Sequence, residues 1–228
     1  MSTEKDYKSQ YGQDKYINEI VFKGKSNGTF LDIGAYDGVH LSNSYYFEKY
    51  KNWTGVCVEP NPKIYKQLAE NRNCICLNAA VSEKDGKMDY LNIPGLEPLN
   101  GLIDKYDVRH MARIDRDMKK EGLTEKEVIE VDTINITDKL LSLGYDTIDY
   151  CNIDTEGGEL SILKTIDLDR ITIKSFSIEN NFRIAKKWRR FIADFKQNTV
   201  SGYLKKKGYK KIFDAGADEI FILKDLKI

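Results

Sequence analysis

Two short stretches of the chain hold the residue types that bind a nucleoside. In "TFLDIGAYDG" (29–38), an apolar run carries Asp32 near its end and continues into Gly34 and Gly38. Glycine adopts backbone conformations that other residues avoid, so the main chain can approach a ligand closely. In "TGVCVEP" (54–60), a second apolar run ends in Glu59. A carboxylate there can accept hydrogen bonds from both hydroxyls of a ribose. The pair predicts a site for a nucleoside-containing cofactor.

The first turn also indicates which cofactor is bound. Dinucleotide sites use G-x-G-x-x-G, whose glycines admit a pyrophosphate at a helix N-terminus. Here the turn is D-x-G-x-x-x-G, with Asp32 leading it. An acid repels a pyrophosphate but attracts a cation, and S-adenosylmethionine carries a sulfonium and an ammonium group. The sequence therefore favours S-adenosylmethionine over NAD. The alternatives are a NAD-binding oxidoreductase, which titration with NADH would test, and a purely structural glycine turn with solvated acids.

Further acids follow two later apolar runs, and they are candidates for the chemistry of methyl transfer. Asp154 ends "TIDYCNID" (147–154), and Glu179 and Asn180 end "IKSFSIEN" (173–180). A hydroxyl of high pKa needs a base or a metal before it can accept a methyl group. Three interpretations stay open: a Mg²⁺ or Mn²⁺ site of hard oxygen ligands, Asp154 as a base or positioning group beside a hydrogen-bonding Glu179, or acids that cap loops.

The elements that must position these residues alternate between short apolar strands and amphipathic helices. The pattern predicts strands at 29–35, 54–60, 74–82, 86–93, 147–154 and 173–180, an extended stretch at 128–134, helices at 42–51, 62–72, 137–145 and 157–166, and a closing hairpin around Gly216. This alternation is typical of an open, mostly parallel sheet covered by helices on both faces. In such a sheet, ligands bind beyond the carboxyl ends of the strands. We therefore expect a single α/β doubly wound domain over 1–228, with a helical segment at 1–27 and an antiparallel edge.

The segment 94–125 breaks this periodicity. Proline, glycine and charged residues dominate it, which predicts a substrate-binding loop or lid rather than scaffold. His110 lies in this segment, where a catalytic base folding over the substrate and an ordinary surface histidine are both open. The basic stretch "KKWRR" (186–190) is interpreted as a solvated helix face.

Composition excludes several classes of protein. The 228 residues carry 36 basic and 36 acidic side chains, so the net charge is zero and no nucleic-acid footprint is indicated. No apolar run approaches the roughly 20 residues of a membrane helix, and the first residues lack a signal-peptide pattern. A cytoplasmic location is the resulting expectation. The four cysteines lie in apolar runs without a C-x-x-C motif, and we expect them to be buried, reduced thiols.

Most of the chain resembles the FkbM-type S-adenosylmethionine-dependent methyltransferases. The resemblance rests on "SQYGQDKYI" (9–17), "GTFLDIGAYDGVHLSNSYYFE" (28–48), "GVCVEPNPKIYKQLAENR" (55–72), "NAAVS" (78–82), "VDTINITDKLL" (131–141), "IDYCNIDTEGGELSILK" (148–164) and "SFSIEN" (175–180). It implies a Rossmann-like class I methyltransferase fold of seven strands in the order 3-2-1-4-5-7-6, with strand 7 antiparallel. It also implies O-methylation, often of sugar hydroxyls.

The resemblance assigns roles position by position. It places Asp32, Gly34, Ala35 and Gly38 in the cofactor turn, Asn43 and Ser44 near the cofactor's amino-acid end, Glu59 and Pro60 at the ribose, Asn78 and Ala80 in the segment lining the adenine, and Asp154 beside the methyl group. The arrangement of Asp154 with Glu179 and Asn180 is similar to the Mg²⁺ site of catechol-type O-methyltransferases. His110 is kept as a further catalytic candidate.

These observations together predict an S-adenosylmethionine-dependent O-methyltransferase that acts on a sugar hydroxyl of a glycan or other sugar-containing molecule, with possible help from Mg²⁺ or Mn²⁺. The nearest alternative is a small-molecule N-methyltransferase that needs no metal. A non-catalytic module that has kept the cofactor fold is a third. No nucleic-acid partner or membrane insertion is expected, and the sequence leaves the oligomeric state open.

Overall fold

A computed structural model gives the fold, and it describes residues 6–105, 108–155, 158–180 and 199–228. The basic stretch 186–190 lies outside these described residues. Among them, no helix is long and apolar enough to cross a membrane.

Seven strands form the main sheet. They are β1 (Thr29–Ile33), β2 (Thr54–Val58), β3 (Ile75–Leu77), β8 (Thr147–Ile153), β9 (Thr172–Glu179), β10 (Tyr209–Ala215) and β11 (Asp218–Leu223). Across the sheet they lie in the order β10-β11-β9-β8-β1-β2-β3, which is 6-7-5-4-1-2-3 when they are numbered along the chain. The strands from β9 to β3 pair in parallel, whereas β11 is antiparallel to both β9 and β10. The central strands are buried on both faces, as parallel sheets require.

Four further strands form a second sheet in the order β4-β7-β5-β6, and the sequence did not predict this sheet as a unit. They are β4 (Ala80–Val81), β5 (Gly86–Asn92), β6 (Gly101–Leu102) and β7 (Glu127–Ile134). The predicted strand 74–82 is therefore wrong as a single element. Its first part is β3 in the main sheet, and its last part is β4, which pairs with β7 in the second sheet.

Seven α-helices accompany the sheets in the described part of the chain. They are α1 (Gln13–Tyr16), α2 (Tyr45–Lys51), α3 (Pro62–Asn71), α4 (Val108–Glu121), α5 (Ile136–Ser142), α6 (Glu159–Thr165) and α7 (Val200–Lys206). A π-helical turn, Ile17–Val21, extends α1. The clearest local signal is at α3, where the Asn61 side chain accepts hydrogen bonds from the Lys63 and Ile64 amides and Pro62 follows at the first helical position.

The segment 94–125 is more regular than predicted. Short 3-10 turns at Glu97–Leu99 and Ile103–Lys105 flank β6, and α4 follows them. Ile114 and Met118 of α4 are buried against Leu91 and Ile93, so this helix packs on the second sheet. An apolar stripe at helical spacing beneath a strongly charged surface explains why composition alone indicated a loop.

The apolar core is divided between the two faces of the main sheet. Leu31 and Ile33 of β1 belong to one buried cluster, and Phe30 belongs to the other. This alternation follows from the two-residue period of a strand. It leaves Asp32, at the carboxyl end of β1, on the same face as Phe30 and almost fully buried.

Candidate active site

A cavity of about 320 Å³ lies over the carboxyl ends of β1, β2, β8 and β9. Its size is within the range of small-molecule sites. The predicted residues that line it are Asp32, Gly34, Ala35, Asn43, Glu59, Pro60, Ala80, Asp154 and Glu179. They come from stretches separated by up to 147 positions in the chain (179 − 32). Parallel strands bring them together because their carboxyl ends share one edge of the sheet.

Gly34 lines this cavity at a position where the structure leaves no space for a side chain. Its φ of +84° lies in the left-handed region, and an added Cβ would overlap the main-chain carbonyl oxygen of Asp154. The amides of Gly34 and Ala35 both donate to the Val58 carbonyl, at 3.0 and 3.1 Å, which ties the turn after β1 to β2. The first glycine of the motif is therefore required for close packing of three strand ends as well as for the turn.

Glu59 is a buried acceptor at the end of β2. Its Oε2 accepts the Tyr36 amide at 3.1 Å and its Oε1 accepts the Asn61 amide at 2.8 Å. Burial raises the pKa of Glu59 to about 7 against the lowering effect of these two hydrogen bonds. A carboxylate has about four lone-pair sites, so both oxygens keep capacity for two further donors. This geometry fits a ribose.

Asp32 is held beneath the turn by two side chains. Ser44 donates to its Oδ2 at 2.6 Å, and Asn152 of β8 donates to its Oδ1 at 2.9 Å. Burial raises the pKa of Asp32, while the hydrogen bonds from Ser44 and Asn152 and the charge of Arg72 oppose that rise. Ser44 does not itself line the cavity. It acts on the site through Asp32.

Arg72 supports the cofactor turn from behind. It ends α3, is almost fully buried, and forms an ion pair with Glu48 at 2.8 Å. Its Nη1 donates to the Gly38 carbonyl and its Nη2 donates to Ser44 Oγ, both at 3.1 Å. The guanidinium thus joins α2, α3 and the turn after β1 through a rigid fork of donors. A single buried arginine gave no sequence signal for this role.

The described walls of the cavity are acidic. Asp32, Glu59, Glu97, Asp154 and Glu179 line it, and no lysine or arginine does so among the residues that the structure describes. The sulfonium and ammonium groups of S-adenosylmethionine suit such walls. Size, charge and the free capacity of Glu59 all fit this cofactor.

The residues predicted to hold a metal do not assemble as a ligand set. Asp154 and Glu179 both line the cavity, but Asn180 does not, and its Nδ2 donates to Glu219 at 3.0 Å. Across the ranges given above, no three His, Cys, Asp or Glu side chains form a group that could hold an ion. The Mg²⁺ or Mn²⁺ site therefore finds no support in the donor geometry.

His110 is a correction to the sequence analysis. It lies in α4 rather than in an irregular stretch, is fully buried, and its Nε2–H donates to the Leu99 carbonyl at 3.1 Å. It does not line the cavity. His110 and Leu99 are adjacent in the fold because α4 packs back on the turn at 97–99.

Two more predicted residues support the cavity without lining it. Asn78 donates through Nδ2 to the carbonyls of Glu59 and Pro60, at 2.9 and 3.0 Å. Gly38 has a φ of +80°, and an added Cβ would lie 2.7 Å from side-chain atoms of Arg72 and Leu68. Both positions shape the main chain on which the acid and the turn depend.

Other lining residues had no assigned role in the sequence analysis. They are Gln10 and Gln13 from the N-terminal segment, Tyr36, His40, Asn152, and a wall from the second sheet that includes Tyr90, Glu97, Asn100 and Leu102. Both glutamines lie in "SQYGQDKYI" (9–17), one of the stretches on which the family resemblance rests. The sequence predicted two strands of this wall, at 86–93 and 128–134, but it did not predict that they pair with each other or that they face the cavity.

The fold is doubly wound, and the cavity at its strand ends has a size and an acidic lining that suit a nucleoside cofactor. Residues 32–211 match the methyltransferase FkbM domain, which spans most of the chain, and the protein belongs to that family. It is therefore an S-adenosylmethionine-dependent methyltransferase, as the turn and the second acid predicted. The oxidoreductase alternative is set aside by this match.

Three of the solved structures that are similar to the chain are described as methyltransferases. A human methyltransferase 10 domain containing protein is 12% identical with a TM-score of 0.38, covering 92% of this chain and 78% of its own. A Pyrococcus furiosus methyltransferase is 14% identical with a TM-score of 0.38, covering 91% and 79%. The METTL16 methyltransferase domain is 10% identical with a TM-score of 0.41, covering 92% of this chain but only 64% of its own length. No curated protein matches, and the family assignment rests on the FkbM domain.

Proposed function

We propose that the protein transfers a methyl group from S-adenosylmethionine to a hydroxyl group of a sugar or sugar-containing molecule. One observation supports it above the others: two acids, Asp154 and Glu179, end neighbouring strands in the same cavity as the cofactor turn and Glu59. An acceptor hydroxyl placed between them would have hydrogen-bond acceptors on both sides. Sugar as the acceptor follows from the sequence resemblance.

The cofactor is proposed to bind along the ends of β1 and β2. Glu59 would accept from the ribose hydroxyls, Asp32 would place negative charge near the cationic end, and Ala80 would contact the adenine. Asn43 would lie near the amino-acid end. When bound, S-adenosylmethionine supplies a methyl group made electrophilic by its sulfonium.

Asp154 is proposed to act on the acceptor. Its main-chain amide donates to the Ile33 carbonyl at 3.0 Å, which fixes the end of β8 beside the cofactor turn. The carboxylate would take the hydroxyl proton as the oxygen bonds to the methyl carbon and the carbon–sulfur bond breaks. Glu179 would orient the acceptor from the end of β9. Holding both partners in line supplies much of the rate enhancement. No part of this proposal needs a metal.

An amine acceptor is the second candidate, and the acidic described walls favour it. A protonated amine would be attracted by Asp154 and Glu179, which could then take its proton before transfer. An anionic acceptor would find no lysine or arginine among the described lining residues.

The test is a turnover assay with methyl-labelled S-adenosylmethionine against matched panels of neutral sugars and small amines. For the true acceptor, Asp154→Asn is expected to lower kcat by about 100-fold or more, the scale of a lost general base. Glu179→Gln is expected to raise KM more than it lowers kcat. Mg²⁺ added to chelator-treated enzyme is expected to leave the rate unchanged.

Asp149→Asn is the matched control. Asp149 is an acid within β8, the strand that Asp154 follows, but it is buried near the opposite end and pairs with Lys25 and Lys174, each at 2.8 Å. Turnover of amines with no sugar methylation would replace the first candidate by the second. Full activity of the Asp154→Asn enzyme would remove Asp154 from the chemistry.

A further inference from the structure

Three cysteines lie together beneath the cofactor turn, at the edge of the main sheet. Cys57 of β2 is paired in register with Cys76 of β3, and Cys74 is two residues earlier, on the same side of the sheet. The Cys57 and Cys74 Sγ atoms are 3.6 Å apart, whereas the Cys76 thiol donates to the Cys74 carbonyl at 3.6 Å. Cys57 is fully buried, and Cys74 is partly exposed.

We propose that Cys57 and Cys74 are a modification site: a dithiol that a hydroperoxide oxidises to a disulfide, which weakens cofactor binding through Arg72. The effect on cofactor binding rests on the proposed cofactor site, whereas the formation of the disulfide does not.

The two thiols have different environments, and these suit the two steps of the reaction. Hydrogen bonding with Cys57 and Cys76 lowers the pKa of Cys74, and the Arg72 guanidinium acts in the same direction. Burial raises the pKa of Cys57. Cys74 is thus the partly exposed thiol that ionises more readily and meets an oxidant, and Cys57 is the thiol beside it that resolves the product.

The chemistry needs only the peroxide as co-reactant. The Cys74 thiolate attacks one peroxide oxygen, the O–O bond breaks, hydroxide leaves, and Cys74 becomes a sulfenic acid. The Cys57 sulfur then attacks the Cys74 sulfur, the S–O bond breaks, and the thiol proton leaves with the hydroxyl as water. The two sulfurs lose two electrons in total, and hydrogen peroxide is reduced to two water molecules.

The bridge would act on the cofactor turn through the residues that support it. The sulfurs have to move from 3.6 Å to about 2.0 Å apart, and in this proposal a shift of the chain at Cys74 or at Cys57 provides part of that movement. Arg72 is two residues before Cys74 and holds the Gly38 carbonyl and Ser44. Ser44 Oγ is also 4.0 Å from Cys57 Sγ and donates to Asp32. A shift at either cysteine therefore reaches the acid beneath the cofactor.

The experiment treats the full-length, fully reduced protein with hydrogen peroxide, alkylates the remaining thiols and maps tryptic peptides without reduction. Cys57 lies in peptide 52–63, and Cys74 lies with Cys76 in peptide 73–84. We expect these two peptides to be linked, and the link to persist in Cys76→Ser but not in Cys74→Ser.

Calorimetric titration with S-adenosylhomocysteine is expected to show about a tenfold loss of affinity after oxidation. Dithiothreitol should restore it, and Cys74→Ser should show no change with peroxide.

Each outcome decides one of the two parts of the proposal, which are the dithiol and its coupling to cofactor binding. Absence of the 52–63 to 73–84 link, or its loss in Cys76→Ser, would overturn the dithiol. A complete link with unchanged S-adenosylhomocysteine affinity would overturn the coupling to the cofactor. If the reduced wild type does not bind S-adenosylhomocysteine, the proposed cofactor site and the coupling both fail, while the peptide map still decides the dithiol.

Discussion

At the scale of single residues, the cavity keeps carboxyl groups in an environment that disfavours their charge. Asp32 and Glu59 are buried, and burial is the largest influence on the pKa of each. Hydrogen bonds from amides and side chains offset part of this cost. Titratable groups with such shifts gather at functional sites because a ligand can supply the missing stabilisation. A cationic nucleoside with two ribose hydroxyls supplies both charge and donors.

Glu59 should make cofactor binding depend on pH. Its pKa of about 7 in the free protein is above its ordinary value, and ribose hydroxyls stabilise the charged form, so binding lowers that pKa. A ligand that lowers a pKa releases a proton and binds less tightly as pH falls. We expect the affinity for S-adenosylhomocysteine to decrease below about pH 7, by up to tenfold per pH unit. Calorimetry in buffers of different ionisation enthalpy measures the proton released.

Glu59→Gln separates this effect from titration of the ligand. The variant should bind more weakly and release fewer protons at the same pH, because the glutamine side chain does not titrate. An equal proton release by wild type and variant would assign the titration to another group, of which Asp32 is the first to consider.

At the scale of elements, the sequence predicted the parts of the fold that carry strong local patterns. The buried strands β1, β2, β8 and β9 and the capped helix α3 were found within a few residues of their bounds. The predicted strand at 86–93 and the extended stretch at 128–134 are confirmed as β5 and β7. Local patterning could not show that they belong to a second sheet, because β4 pairs with β7 about 50 residues away, nor could it separate β3 from β4 across two residues. Helix α4 was missed because charge hides its narrow apolar stripe.

Gly34, in the turn after β1, can be compared with Gly144, which follows α5 and has the same backbone conformation. Gly34 and Gly144 both have a φ of +84°, so an alanine at either pays a similar backbone cost of about 1–2 kcal/mol. Only at Gly34 would the new methyl group overlap the Asp154 carbonyl; Gly144 has nothing within 4 Å. We therefore expect Gly34→Ala to lower the melting temperature further than Gly144→Ala, measured by thermal unfolding. Only the former should abolish binding of S-adenosylhomocysteine.

Equal losses of stability in the two variants, with cofactor binding intact in both, would mean that the turn tolerates a side chain. The close contact of Gly34 with β8 would then not be what shapes the site.

At the scale of the whole molecule, the chain is electrically neutral, yet its charges are separated. Acids line the described part of the cavity, while Asp149, near the other end of β8, is paired with Lys25 and Lys174 and accepts the Thr29 amide. The sheet thus holds an acid paired with two lysines at one end, and at the other a group of acids that line a cavity with no lysine or arginine among its described lining residues. The composition predicted neutrality but not this separation, which depends on strand direction and on which acids meet lysines in three dimensions.

The sequence predicted that the strand ends lie together, because a parallel sheet places all its carboxyl ends at one edge. It therefore also predicted that one cavity is lined by Asp32, Glu59, Asp154 and Glu179. The roles of Arg72 and Asn152 were not, since each depends on a side-chain contact across 28 or 120 residues of chain. The metal hypothesis found no support for the same reason, because the Asn180 side chain donates to Glu219 of β11.

The central claim is that the cavity at the strand ends binds the cofactor through Glu59. Calorimetric titration of S-adenosylhomocysteine into wild type, Glu59→Ala and Asp149→Asn tests it most directly. Loss of two charged hydrogen bonds should weaken binding to Glu59→Ala by about 30-fold or more. Asp149→Asn should bind within about twofold of wild type, although it removes an acid of similar burial. Wild-type binding that survives in Glu59→Ala, or that is lost equally in both variants, would contradict the account.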